Sequence, residues 1–494
     1  MHSDTREAAK RLLGALQFSQ VKSLTLTLTS ALIAAGIAFT PTYTGLEPAG
    51  QWALWILVFS ALMWVTEAIP PFATSLVSIG LMIAILGRPG GVFATTDKDW
   101  EMFIRPWGSS LIWLFFGGFV LAAGAARTGL DRWMALRTLG LFGKKPAMVL
   151  MGVMLITAVL SMFVSNTATA TLMLAVLGPI INPAEGEPRR RFEDAAAEPD
   201  PQLGLLSKGL LLGIALAANI GGMGTIIGTP PNAIAAGVLA DEGAGIDFAR
   251  WMVLAVPPAA ALLAVGWGFL LARYLGGSSF VDLESFSLGE TRAEPVPKLR
   301  QVIVAFTFSA TVLMWMTSPL TGIPTTVVSF LPICMLTATG ILSADDIRRL
   351  PWDILLLITG GLSLGVAIDQ TGLADWVVGQ LPTDDLPLMA IVLGFGYLTL
   401  VLSNLMSNTA TANIVLPLAV AILAATDPGD ARLIVPVALS ASLAMCLPIS
   451  TPPNAIIYGS GQIGSLDLLL AGLVVGVIGP VVATLWCWNA LAWV

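Results

Sequence analysis

Ser165-Asn166-Thr167-Ala168-Thr169-Ala170 returns letter for letter as Ser407-Asn408-Thr409-Ala410-Thr411-Ala412, and each copy interrupts an otherwise apolar stretch. Further on, each is followed by a second duplicated hexapeptide, Thr229-Pro230-Pro231-Asn232-Ala233-Ile234 and Thr451-Pro452-Pro453-Asn454-Ala455-Ile456. Two polar, helix-breaking motifs in the same order in both halves of a very apolar chain are the pattern of a carrier whose binding site lies between internal repeats.

The surroundings of these motifs are those of a membrane protein. Of 494 residues, 56% are hydrophobic and only 11% charged, far from the roughly 25% charged residues of a soluble domain. Mean hydropathy is +0.84. The expectation is an all-α polytopic membrane protein with about eleven transmembrane helices, each of about 20 apolar residues. Cys334, Cys446 and Cys487 lie far apart in apolar runs, as small buried hydrophobes do, and suggest neither a disulfide framework nor a thiolate metal site. The one histidine is His2, which excludes hydrolase chemistry built on histidine-bound metal.

Taken in order, residues 1–22 are polar and basic without a small-residue cleavage site, and are expected to be a short cytoplasmic lead. A first span and its outer loop fill 23–51, a first repeat 52–275, a linker 276–300 and a second repeat 301–494. Within the first repeat, the apolar segment 146–179 carries its motif at the middle, leaving arms of roughly 15 residues. Such an arm rises about 22 Å, less than the roughly 30 Å hydrocarbon core, so a re-entrant hairpin fits better than a span. The second hairpin is expected over 387–426, and broken spans over 205–239 and 433–459. Other features recur: Ile69-Pro70 and Ile323-Pro324 separate neighbouring spans, and Gly117-Gly118 precedes Gly129 as Gly360-Gly361 precedes Gly372, twelve residues on in both cases.

Charge gives the orientation. With the N-terminus inside, and five spans per repeat so that the repeats insert oppositely, 19 of the 24 Lys and Arg fall on cytoplasmic stretches. Only Arg88, Lys98, Arg105, Arg250 and Arg432 are left outside. The C-terminus is then outside. The first hairpin opens from the cytoplasm and the second from the exterior, so that their tips meet near the midplane.

The chemistry follows from what those tips present. Unpaired N–H groups and the helix dipole make a helix N-terminus attractive to anions. Ser165 and Ser407 suit N-caps of the second arms, as Thr229 and Thr451 suit N-caps with Pro230 and Pro452 at the first helical position. Carbonyls at the ends of the first arms, near Ser161–Val164 and Ser403–Met406, with the side-chain oxygens of Asn166 and Asn408, suit a small hard cation such as sodium. Ser, Thr and Asn also act as interhelical glue, but two identical hexapeptides paired with two identical breaks favour a ligand site. The Gly-Gly pairs read as close-packing positions, and Glu67, Asp353 and Asp369 as residues at span ends.

The paired Ser-Asn-Thr motifs, the two Thr-Pro-Pro-Asn breaks and Thr66-Glu67-Ala68-Ile69-Pro70 resemble the divalent anion to sodium symporter family of dicarboxylate and citrate carriers, from about residue 23 onward. The resemblance implies a homodimer in the cell membrane, each protomer with a scaffold and a moving transport domain, working by an elevator mechanism. It implies a first sodium site at Ser161, Ser165, Asn166 and Gly228, and a second at Ser403, Met406, Asn408 and Ser450. It implies that Asn166, Thr167, Thr229, Asn408, Thr409 and Thr451 hold the substrate carboxylates, with Pro230 and Pro452 shaping the pocket. A sodium-independent exchanger of the family is expected to carry a basic side chain where sodium sits; no Lys, Arg or His lies in either hairpin tip or at either helix break. The reading is sodium-coupled symport of C4 dicarboxylates such as succinate, malate or fumarate. Citrate, another divalent anion such as sulfate, or sodium-independent exchange are the alternatives among carriers. A membrane-embedded enzyme would need a nucleophile and base that the spans lack, and an anion channel would show flux without sodium dependence.

Overall fold

The computed structural model describes residues 21–40, 43–143, 145–181, 201–241, 243–275, 297–380, 387–426 and 433–491. The polar lead, apart from its last two residues, the charged stretch 182–200 and most of the 276–300 linker lie outside the described residues. Among the described residues all regular structure is helical.

The chain opens with α1 (Val21–Ala38), α2 (Pro48–Thr66) and α3 (Pro71–Leu81), the last running on as a π-helical turn over Met82–Gly87. Between α2 and α3 the break comes earlier than the Ile-Pro pair suggests. Glu67 turns left-handed (φ 47°) to end α2, and Pro71 then sits in the first turn of α3, where its missing N–H costs nothing. Next come α4 (Ser110–Thr128), closed by left-handed Gly129, and α5 (Leu130–Leu139). The first helical hairpin is α6 (Pro146–Ser161) and α7 (Asn166–Ile181), and the first broken helix is α8 (Pro201–Gly222) and α9 (Pro230–Asp241). α10 (Phe248–Leu270) closes the first half. The second half follows with α11 (Lys298–Met316), short α12 (Ser318–Thr321), α13 (Thr325–Ala338), α14 (Ala344–Arg348), α15 (Trp352–Gln370) and α16 (Leu373–Gln380). The second hairpin is α17 (Leu388–Leu405) and α18 (Asn408–Thr426), the second broken helix α19 (Ile434–Ala441) and α20 (Pro452–Tyr458), and α21 (Ser465–Ala490) is the last element.

Nine of the described helices are long and apolar enough to cross a membrane, against the eleven spans expected. The difference has a physical reason. α3 with its π turn (Pro71–Gly87) and α13 are short apolar helices, and the second broken helix divides into pieces of eight and seven residues around an unwound 442–451. α17, at 18 residues, is the reverse case, a hairpin arm longer than expected.

Packing crosses between the halves. α4 lies along α13 and α15 along α3, while α10 packs on α21. The first glycine of each Gly-Gly pair explains two of these contacts: a Cβ on Gly117 would sit 2.7 Å from Ser329 Cβ, and one on Gly360 would collide with Ser75. A second group of helices gathers around the hairpins, with α6 along α8, α17 along α19, α7 against α20 and α18 against α9. Asp467 fastens this group to the α10–α21 pair, accepting from Lys208 Nζ at 3.2 Å and from Tyr274 OH at 2.8 Å. That cluster joins the start of α8, the π-helical turn Leu271–Leu275 that continues α10, and the start of α21.

Candidate functional site

Each hairpin tip is made by its own residues. α6 tightens into a last turn, with Met162 N donating to Ala158 O and Val164 N to Leu160 O, and Ser165 then caps α7 by accepting from Ala168 N at 3.3 Å. The second tip repeats this, Ser407 Oγ accepting from Ala410 N at 3.2 Å. Ser161 Oγ lies 2.7 Å from Asn166 Oδ1 and 2.6 Å from Ala218 O. Ser403 Oγ lies 2.9 Å from Asn408 Oδ1 and 3.0 Å from Ala441 O. In each cluster three oxygens share a single hydroxyl proton, so one short oxygen pair is left without a hydrogen between. Such a concentration of uncharged oxygen lone pairs suits a small hard cation. Pinning Oδ1 on the serine leaves the amide Nδ2 of Asn166 and of Asn408 without a partner among the described residues, as donors for an anion.

The breaks are braced from within. Asn232 Nδ2 reaches Gly222 O, Met223 O and Thr225 O at 3.0, 3.2 and 2.7 Å, and Trp251 Nε1 adds a second donor to Met223 O at 3.1 Å. Asn454 Nδ2 does the same for Met445 O and Leu447 O at 2.9 and 3.0 Å. Thr225 O and Leu447 O also accept from Gly228 N and Ser450 N, but a carbonyl freed by unwinding and left buried and unpaired costs about 1–3 kcal/mol. Each tip is also tied to its break: the Thr225 hydroxyl donates to Met162 O, Cys446 N donates to Asn404 Oδ1 at 3.0 Å, and Ser450 Oγ lies 3.3 Å from Asn404 O. The carbonyls of Met162 and Asn404 are therefore already engaged, and those of Ala218 and Ala441 face the serine–asparagine clusters instead.

Three residues of α8 gather the parts. Ala218 O meets Ser161, Asn219 Nδ2 donates to Thr451 Oγ1 at 3.1 Å, and Gly222 lies so close to Asn166 that a Cβ there would strike its Oδ1. Gly228 in turn abuts Gly222 O, so Gly228, Gly222 and Asn166 form one continuous surface. Thr451 caps α20 from Asn454 N at 3.4 Å and is buried, as is Thr229, whose hydroxyl makes no hydrogen bond among the described residues. Met406 is buried beside the second tip; Thr167 and Pro452 are exposed, and Thr409 and Pro230 half-buried.

The expectation from sequence left out Asn219, Thr225, Asn232, Asn404 and Asn454. The asparagines of the duplicated Thr-Pro-Pro-Asn breaks carried a signal in their own repetition. Asn219 carried none, because its partner Thr451 is 232 positions away.

A family model described as citrate transporter matches residues 61–434. The chain belongs to this family. It is a divalent-anion transporter, a multi-pass membrane protein and not an enzyme. Its sequence is 32% identical over 463 residues to the sodium-dependent dicarboxylate transporter SdcS of Staphylococcus aureus strains MW2 and USA300, over 88% of this chain and 85% of that one. The transporter also superposes, with a TM-score of 0.48 and 12% identity, on the solved YdaH transporter of Alcanivorax borkumensis, over 88% of this chain and 98% of that one.

Proposed function

We propose that this chain is a sodium-coupled importer of C4 dicarboxylates, built from two oppositely inserted repeats and moving its cargo by an elevator displacement of the hairpin-bearing helices against the rest. The observation that carries the reading is the matched pair of oxygen clusters, Ser161–Asn166–Ala218 and Ser403–Asn408–Ala441, each backed by an asparagine whose amide hydrogens are unengaged. Sodium held by the oxygens leaves Nδ2 of Asn166 and Asn408 for the carboxylates of one bridging dianion. Ser165, Gly228, Met406 and Ser450 complete the ion sites, and Thr167, Thr229, Thr409, Thr451, Pro230 and Pro452 the walls around the acid. The similarity to sodium-dependent dicarboxylate transporters supports this cargo.

The lack of any Lys, Arg or His in the tips and breaks supports symport over exchange. A bare dianion is too costly to carry through a low-dielectric region, so mobile cations must travel with it. Citrate is the second reading, favoured by the family model itself. We further propose a homodimer with cytoplasmic N-termini and exterior C-termini.

The test is uptake of labelled succinate into proteoliposomes with and without a sodium gradient, competed in turn by citrate, 2-oxoglutarate and sulfate. Uptake that requires sodium and is blocked best by other C4 acids is expected; citrate as the strongest competitor moves the assignment to the second reading. Asn166→Ala and Asn408→Ala should each lower uptake by at least about tenfold, the loss of a hydrogen bond to a charged group. Full uptake in either variant defeats the site.

A further inference from the structure

Asn219 belongs to none of the duplicated motifs, yet it is the side chain that joins the two halves at the site. It is fully buried in the last turns of α8. One Nδ2 hydrogen goes to Ala215 O at 3.0 Å, one helical turn back, and the other to Thr451 Oγ1 at 3.1 Å. The Ala215 carbonyl fixes the amide's orientation, since a flip would press Oδ1 against another acceptor. Thr451 Oγ1 also accepts from Asn454 N at 3.4 Å. A hydroxyl has two lone pairs and one proton. With both lone pairs engaged, the Thr451 hydroxyl can act only as a donor. Thr451 is 2% exposed and its proton has no acceptor among the described residues. A buried donor kept without an acceptor is costly, and marks a place where a ligand supplies the missing oxygen.

The other half differs. Counting ten residues back from each threonine, Asn219 stands before Thr229 and Ala441 before Thr451. Ala441 has no side-chain donor, and the buried Oγ of Ser442, which follows Ala441 as Asn219 follows Ala218 at the oxygen clusters, makes no hydrogen bond among the described residues, so Thr229 receives no such contact and its hydroxyl is free to give or to accept. We propose that Asn219 is a positioning residue that sets Thr451 as an obligate donor and so makes the site unequal at its two ends. The Thr451 end requires an acceptor oxygen, such as that of a carboxylate, and excludes a ligand N–H or O–H, whereas the Thr229 end also admits a donor, the N–H of an amide or the O–H of a protonated acid. This rests on Thr451 facing the substrate, as proposed above. The cargo class follows: acids with one bare carboxylate and a second polar group, the dianion being one member.

The test measures sodium-driven succinate uptake by Asn219→Leu, Thr451→Val and the double variant. Asn219→Leu is expected to raise KM about tenfold while leaving Vmax and sodium half-saturation unchanged, and the double variant to be no worse than Thr451→Val. In wild type, succinamate, the half-amide, should compete measurably. Asn219→Asp supplies a separate signature. Its ionised carboxylate would accept the Thr451 proton and turn the hydroxyl from donor to substrate into donor to protein, whereas the protonated acid has one proton that it can give to the hydroxyl. Its KM relative to wild type should therefore fall as pH is lowered.

Additive effects of the two single variants, or a KM change in Thr451→Val alone, overturn the inference and leave the site reading intact. No change in either single variant overturns both. Should Asn219→Leu fail to purify as a folded protein, a pH-independent KM ratio for Asn219→Asp overturns the inference by itself.

Discussion

Asn232 and Asn454 show how one side chain makes an unwound segment affordable inside an apolar bundle. Each turns its amide into the break and satisfies carbonyls that helix formation would have satisfied. Replacing either by alanine takes the donor from Gly222 O or Met445 O and leaves Thr225 O or Leu447 O with a backbone donor alone, Gly228 N or Ser450 N, at an expected cost of about 2–4 kcal/mol. Both variants should melt earlier in detergent than wild type, Asn232→Ala more so because it loses three contacts where Asn454→Ala loses two. Equal melting temperatures would show that water takes over the role. At this scale the sequence was informative where a residue repeated. The pairs Ser161 with Asn166 and Ser403 with Asn408 lie five positions apart, within one helical tip, and are local chemistry. Thr225 to Met162, Asn404 to Ser450 and Asn219 to Thr451 are tertiary contacts, and no local pattern announces them.

At the scale of elements, hairpins and broken helices were legible because proline and a polar motif punctuate apolar runs too short to span. Their lengths were less so. The first break, 223–229, is a short interruption between helices of 22 and 12 residues, whereas the second, 442–451, lies between helices of eight and seven. Identical hexapeptides start α9 and α20; the residues before them differ, Gly224-Thr225-Ile226 against Cys446-Leu447-Pro448, and Pro448 cannot donate to a helical ladder. The end of α2 is a second case. Glu67, the one non-glycine residue with positive φ among those described, terminates the helix in a conformation that disfavours a Cβ. Glu67→Gly should raise stability by about 1 kcal/mol if the residue serves only as a cap. A stabilised variant with impaired uptake would instead give the carboxylate a part in transport.

Over the whole molecule, the duplicated halves are not in duplicate surroundings. Ile227, in the first break, is buried against Gly118 of α4, where a glycine Cβ would stand 3.5 Å from the isoleucine Cβ. That separation suits a disulfide. The double variant Gly118→Cys, Ile227→Cys should close under mild oxidant and stop uptake, which returns on reduction. Continued uptake by the oxidised protein would show that α4 and the first break travel together and would defeat the proposed elevator. Gly361, the counterpart of Gly118, meets Asn413 of α18 instead.

Ile449 is the residue that corresponds to Ile227, and it is 81% exposed. Its side chain does not lie against Gly361 as that of Ile227 lies against Gly118. If the halves exchange roles during the cycle, Ile449 docks at Gly361 as Ile227 leaves Gly118, like two latches of which only one can be shut. A bridge engineered between positions 361 and 449 should then trap the alternate orientation, and a carrier with both bridges should never form them in the same molecule.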